Sequence, residues 1–309
     1  MGSSRSVAAI DCGTNSTRLL IVDSLGRAVL REMRITRLGQ SVDRTHVLAP
    51  EAMERTLAVL RHYRSLMDEL GVTAVRLVAT SAVRDASNGH LFLRLAAEAV
   101  GTEAELLAGQ EEGRLAYLGA TADLAPTAGD TVVVDIGGGS TELVLARQGV
   151  LAAYSMDLGC VRLSERYLSH DPPTEIELAE TAREINREID RSFESIDALS
   201  SLQPGSRLIG LAGTVSTLAA LELGLPEYRR EMVHHALLSV EAVVRWCTDL
   251  SSEPAGQRAQ RPGMIEGRQD VIIGGALVLR EVMARCGFDE CLVSESDILD
   301  GLAMSLQTG

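Results

Sequence analysis

The chain has 309 residues, 46% of them hydrophobic and 23% charged, which is enough for two domains with cores of their own and ordinary for folded protein. Its net charge of −14 argues against nucleic acid or an anionic membrane surface as a partner, since both are bound through clustered Lys and Arg. The five cysteines (Cys12, Cys160, Cys247, Cys286, Cys291) contain no Cys-x-x-Cys pair, no apolar run could span a bilayer, and Met1 to Ser6 lacks the apolar core of a signal peptide, so a reduced, cytoplasmic protein without a disulfide framework or zinc knuckle is expected.

In chain order, Val7 to Ile10 and Arg18 to Asp23 read as strands around the loop Asp11 to Thr17, and Gly26 turns into a third strand, Ala28 to Thr36. Pro50 to Leu70 is a helix with Met53, Leu57, Leu60, Met67 and Leu70 on one face and Gly71 placed to cap it. Val75 to Ala79 is a buried strand whose exit carries Thr80, Ser81 and Arg84, and a helix follows from about Leu91 to Val100. Ligands gather at such exits in α/β folds, although an arginine there is more often a surface residue. Glu103 to Leu107 is a further strand, and Glu111 and Glu112 open the next helix. Acids in a first turn meet the helix dipole favourably, by about 0.3 to 1 kcal/mol each, and need no other role. The Pro/Gly/Ala segment from Thr121 to Asp130 marks a boundary between a first domain, 1–125, and a second, 126–309.

The second domain opens with Thr131 to Arg147, in which Val132, Val133 and Val134 lead into Asp135, three glycines, Ser140, Thr141, Glu142 and a second apolar run. This is a hairpin. Gly137, Gly138 and Gly139 are expected to supply positive φ and to let an anion approach bare amides. Asp135 and Glu142 flank the loop, where two carboxylates could hold a divalent cation beside a phosphate. Then come a strand, Leu151 to Ser155, a helix from Gly159, a turn at Asp171-Pro172-Pro173 and a long helix N-capped by Thr174. A strand from Arg207 to Leu211 delivers Ala212, Gly213 and Thr214 into a helix start, a third place where amides could meet an anion, though such a feature by itself is more often packing. Ser239 to Leu250 is a helix, Gln257 to Gly263 a basic loop with Arg258 and Arg261, and Arg268 to Cys286 a helix whose Gly274, Gly275 and Ala276 permit close packing. Cys291 to Ser294 is a last strand and Asp297 to Leu306 a last helix. His234 and His235 form a pair without a third ligand at recognisable spacing, and read as structural or as part of a cleft rim.

The first loop and the second are copies. An offset of 124 positions aligns AIDCGTNSTRLLIV with VVDIGGGSTELVLA without a gap, setting Asp11 on Asp135, Gly13 on Gly137, Ser16 on Ser140 and Thr17 on Thr141. A single Gly/Ser-rich turn would be a weak motif; the duplicated one points to two related domains facing each other across a cleft and holding one polyanion from both sides.

With these residues in view, the sequence resembles the Ppx/GppA family of exopolyphosphatases and guanosine pentaphosphate phosphohydrolases, within the superfamily of actin, Hsp70 ATPase domains and sugar kinases. The resemblance is carried by DCGTNSTRLLIVD, ATSAVRDASN, GQEEGRLAYLG, VVDIGGGSTELV and GLAGTVSTLAA, in the family's order over most of the chain. It implies an α/β fold of two related actin-like (ribonuclease H-like) domains, each a mixed β-sheet flanked by helices, with the last helix crossing back to the first domain.

It also implies a phosphate site made of Gly13, Thr14, Asn15, Ser16, Thr17, Arg84, Gly137, Gly138, Gly139, Ser140, Thr141, Gly213 and Thr214, with Mg²⁺ or Mn²⁺ held by Asp135, Glu142 and Asp11. Glu112 falls on the family's catalytic position as general base, while Glu111 shapes the turn or a hydrogen-bond network. The implied reaction is hydrolysis of a phosphoanhydride by water, with no cysteine or histidine nucleophile. Polyphosphate, short chains above all given the chain length, ranks before guanosine pentaphosphate as substrate, and a homodimer is one assembly the resemblance allows. An actin-superfamily kinase or ATPase and a non-hydrolysing sensor are the alternative readings. The 3% of aromatic residues weighs against sugar stacking, and the three carboxylates Glu112, Asp135 and Glu142 weigh against the sensor.

Overall fold

A computed structural model describes residues 6–307, so the leader reading of the N-terminus falls almost wholly outside the described residues. The chain forms two compact units, one running to Gly119 and resuming at Asp297, the other Ala120–Ser296.

The first unit contains β1 (Ser6–Cys12), β2 (Ser16–Val22), β3 (Ala28–Ile35), the turn α1 (Val42–Thr45), α2 (Pro50–Glu69), β4 (Val72–Ala79), the turn α3 (Ser81–Arg84), α4 (Gly89–Val100), β5 (Ala104–Leu106) and α5 (Gly109–Thr121). The sheet order is β3-β2-β1-β4-β5. Strands β1, β2 and β3 are antiparallel, and β4 and β5 are parallel to β1. The second unit contains β6 (Thr131–Ile136), β7 (Thr141–Arg147), β8 (Val150–Met156), α6 (Cys160–Tyr167), α7 (Glu175–Ser195), β9 (Arg207–Leu211), α8 (Ala212–Glu222), α9 (Arg230–Val233), β10 (Leu237–Ser239), α10 (Val240–Ser252), α11 (Ala255–Arg258), α12 (Ile272–Cys286) and β11 (Glu290–Val293). Its order, β10-β11-β9-β6-β7-β8, repeats the plan with one added edge strand. Each unit is therefore a mixed sheet flanked by helices, the ribonuclease H-like arrangement. The last helix, α13 (Ile298–Gln307), packs on β1, β2 and β4 of the first unit.

Alternation along the strands decides what each face meets. In β1 and β2, Ala8, Ile10, Cys12, Leu19 and Ile21 join the α2 and α4 core with Leu57, Leu60, Tyr63 and Phe92. The opposite set, Asp11 and Arg18 with Leu20 and its cross-strand partner Arg31, shares the face on which α13 lies. In the second unit Val132, Val134, Ile136, Leu143 and Leu145 pack with α7, α8, α10 and α12, so Asp135 and Glu142 fall on the other face.

Local signals act as their chemistry demands. Pro50 starts α2, and Gly71 follows its end at φ 63. Thr174 and Glu177 close a capping box on α7, whose amide and hydroxyl donors hold the Glu177 carboxyl far below the usual range. Two expectations fail. The helix expected from Arg268 begins at Ile272, because Gly267 at φ 80 leads Arg268 into a turn. The stretch from Gln257 is no solvated basic loop: Arg258 is buried, ion-paired to Asp171 at 2.9 Å and bonded to the Gln269 carbonyl at 2.7 Å, while Arg261 is held by Glu253. Among the described residues no helix is long and apolar enough to cross a membrane.

Candidate active site

The second hairpin is fixed from behind by α6. Cys160 N–H donates to Gly137 O at 2.9 Å, Val161 and Arg162 N–H to Gly138 O at 2.9 and 3.1 Å, and the Arg162 side chain to Gly139 O at 2.7 Å. A trans peptide sets its C=O and N–H in opposite directions, so with three successive carbonyls turned to α6 the amides of Gly138, Gly139 and Ser140 face away from it. That is the row of donors an anion requires. The expected positive φ is not the reason for the glycines: the left-handed glycines of the described residues lie elsewhere, at turns such as Gly26, Gly101 and Gly149. At Gly137 and Gly159 the requirement is close approach, since a Cβ on Gly137 would lie 3.0 Å from Ser140 O, and one on Gly159 would lie 2.5 Å from the Gly138 carbonyl.

Asp135 and Glu142 are direct cross-strand partners, 8% and 2% exposed. Like charges opposite each other in a sheet repel, and burial strengthens the repulsion. Ser155 Oγ donates to Glu142 Oε1 at 2.8 Å, which orders that carboxylate without cancelling its charge. The hydroxyl of Thr141, at the loop's exit, is buried without a hydrogen-bond partner. An acidic pair beside such an atom and a row of amides fits a cation that travels with phosphate oxygens.

The first hairpin has the same backing and different charge. Thr36 and Arg37 N–H donate to Asn15 O at 3.1 and 2.9 Å, and Gly39 N–H to Thr14 O at 2.8 Å, so the amides of Asn15 and Ser16 face away from that segment. The residue opposite Asp11 is Arg18, which donates to Asp11 Oδ2 from Nε at 3.0 Å and from Nη2 at 2.6 Å. Of the Asp11 carboxylate, grouped with Asp135 and Glu142 as cation ligands, Oδ2 already has a guanidinium as its counter-charge. Its Oδ1 is buried and without a hydrogen-bond partner, as is Asn15 Nδ2. Burial pushes the Asp11 carboxyl above its usual range despite Arg18. Thr17 is corrected, for its hydroxyl bonds Thr36 Oγ1 at 2.9 Å within the core and is not offered to a ligand. Thr14 Oγ1 meets Ser81 Oγ at 2.9 Å, tying the loop to the β4 exit.

From that exit Arg84 donates to Leu107 O at 3.0 Å, and its Nη1 lies 4.0 Å from Glu112 Oε2. The two acids that open α5 differ in their surroundings. Glu112 keeps 12% of its side chain exposed beside Arg84, whereas Glu111 keeps 47% and pairs along the helix with Arg114 at 3.8 Å.

The third candidate site is occupied by the protein itself. A Cβ on Gly213 would fall 1.7 Å from the Arg268 guanidinium, which covers the first turn of α8, and Thr214 is buried against Gly275 of α12. Thr214 is thus a packing residue, and Arg268 stands where an anion was expected to meet the Gly213 amide. Asp123 joins His234 and His235, with His234 Nε2 at 3.0 Å and His235 Nε2 at 3.6 Å from its Oδ2. Glu295 N–H donates to His234 Nδ1 at 3.1 Å, so that ring carries its proton on Nε2 and has no lone pair left for a metal. Sequence reasoning overlooked Arg18, Arg162 and Arg268. Arg18 had a legible signal, since the repeat sets it on Glu142.

Two glycine hairpins of one design, each turning amides outward and each closed by an aspartate, define a phosphate-handling protein of the ribonuclease H-like fold. The chain belongs to the Ppx/GppA phosphatase family, whose profile matches residues 20–307. It is 42% identical over 316 aligned residues to exopolyphosphatase 2 of Mycobacterium tuberculosis, covering 97% of this chain and 98% of that relative. The crystal structure of an exopolyphosphatase-like protein matches with a TM-score of 0.92 at 36% identity, covering 98% of each chain. A Ppx/GppA family member from Aquifex aeolicus matches with 0.82 at 32% identity, covering 99% of each.

Proposed function

We propose that the chain is an exopolyphosphatase that hydrolyses the terminal phosphoanhydride of inorganic polyphosphate and releases orthophosphate with the help of a divalent cation, Mg²⁺ or Mn²⁺. The observation that carries this reading is the second hairpin, with three amides turned outward beside the facing carboxylates of Asp135 and Glu142. Bound there, the cation would offset the charge of phosphate and carboxylate oxygens. The amides of Gly138, Gly139 and Ser140 hold the terminal phosphate and stabilise charge on its equatorial oxygens. In the first unit, Asn15, Ser16 and Arg84 are the phosphate-binding residues. Glu112 accepts a proton from the attacking water, whose oxygen bonds to the terminal phosphorus as the bridging oxygen departs with the shortened chain. Burial raises the thiols of all five cysteines above their usual range, which suits attack by water over attack by a thiolate.

The test is phosphate release from short polyphosphate, long polyphosphate, guanosine pentaphosphate and ATP, with Mg²⁺ and with chelator. Release from polyphosphate that stops in chelator is expected. A preference for guanosine pentaphosphate would move the reading to the family's other activity, and binding without release would make the chain a sensor.

A further inference from the structure

We infer that Asp297 is a positioning residue for the first hairpin, acting through Arg18 on the orientation of the Asp11 carboxylate; this rests on the function proposed above. One guanidinium bridges two acids: Arg18 holds Asp11 Oδ2 through Nε and Nη2, and its Nη1 donates to Asp297 Oδ2. A carboxylate gripped at one oxygen by two donors of a rigid fork has its rotation fixed, and the oxygen left over, Asp11 Oδ1, is buried with no partner inside the protein. It is the acceptor this hairpin offers to a donor arriving with the substrate, such as an ordered water.

Asp297 is itself held on every side. It precedes α13 and accepts from Leu299 N–H at 2.9 Å, while Asp300 returns a carboxylate to the Asp297 N–H at 2.8 Å. Arg31 binds both oxygens of Asp300, at 2.6 and 2.7 Å, and approaches Asp297 Oδ1 at 3.8 Å. Its backbone is jammed against α5, the helix that carries Glu112: a Cβ on Gly119 would lie 1.9 Å from Asp297 O, and one on Gly301 would lie 2.1 Å from Leu115 O. Arg18 and Arg31 with the Leu299 amide outweigh burial and hold the Asp297 carboxyl below its usual range, so it is anionic at working pH. Capping alone would not select Asp297, because asparagine caps a helix about as well.

That equivalence supplies the experiment. Asp297→Asn keeps the cap, removes the charge and leaves Arg18 with Asp11 and Arg31 with Asp300. The expected result is kcat on short polyphosphate lower by on the order of tenfold to a hundredfold, with KM unchanged or lower because the cluster has lost a negative charge, and with Tm lowered only by the stability that the Asp297 charge contributes through Arg18 and Arg31. In an Asp11→Asn background the same change should have no further effect on kcat. Arg18→Lys, which keeps the charge but cannot bridge two carboxylates, should reproduce the loss and serves if Asp297→Asn does not fold. Wild-type kcat in both variants, an equal loss in the Asp11→Asn background, or a rise in KM without loss of kcat would overturn the role. Absence of turnover by the wild-type protein would instead overturn the proposed function.

Discussion

The two glycine hairpins share a backbone plan and differ in the charge of one cross-strand pair: Asp11 faces Arg18 in the first unit, and Asp135 faces Glu142 in the second. In the first, Arg18 supplies the counter-charge from within the protein and is shared with Asp297. In the second, two nearly buried acids face each other across the strands. The duplicated unit thus kept its amide row twice and divided its charges, one copy setting an arginine opposite its aspartate and the other a second acid.

The largest effect is expected away from either pair. Glu112→Gln should lower kcat by about 10² to 10⁴ while Tm and phosphate affinity stay near wild type, and Glu111→Gln, on the exposed side of the helix start, should change little. Equal small losses in both mutants would return the pair to a helix-dipole role.

Next come the aspartates. Asp135→Asn should lower kcat by about 10² to 10³, in line with removal of one group that stabilises the transition state, and should shift the cation concentration needed for half-maximal rate. Asp11→Asn should lower kcat without shifting that concentration. If both mutants changed cation dependence alike, the division of roles between the hairpins would be wrong.

Acid should act on stability through carboxyls that the fold holds low. Asp297, Asp130 and Glu177 have folded values below those of the unfolded chain, about 4. Each therefore contributes stability that is complete above that pH and lost as pH falls through the folded value. Asp11, raised by burial, works in the opposite sense and recovers stability in acid. The three outnumber the one, so Tm followed from pH 7 down should hold until about pH 4 and then fall.

The smallest contrast concerns the matched threonines. Thr17→Val removes the bond to Thr36 and should lower stability by about 1 kcal/mol, with little change in kcat. Thr141→Val removes a hydroxyl that has no partner inside the protein, and should leave Tm unchanged while raising KM or lowering kcat. The reverse pattern in melting and steady-state assays would mean that Thr141 Oγ1 does not face the ligand.

Much of the molecule was legible in the chain. The strands and principal helices follow from β-branched runs, helical spacing and cap residues, because those signals act over a few neighbours. The hairpins were legible for the same reason, and so was the contrast of Arg18 with Glu142 at the matched position. Bonds between distant segments were not. Arg258 looked like a surface cation until Asp171 and the Gln269 carbonyl closed around it, and Thr17 looked like a phosphate ligand until Thr36 took its hydroxyl.

The sequence by itself determined the duplicated hairpin, the order of elements and the identity of the acids, since each is written in adjacent residues or in a repeat. Tertiary structure alone decided which donors and counter-charges those residues face. Arg268 reaches Gly213 and Asp297 reaches Arg18 only because the sheet and helices bring them there, and a side chain's electrostatic role depends on distance in space, which spacing along the chain does not record.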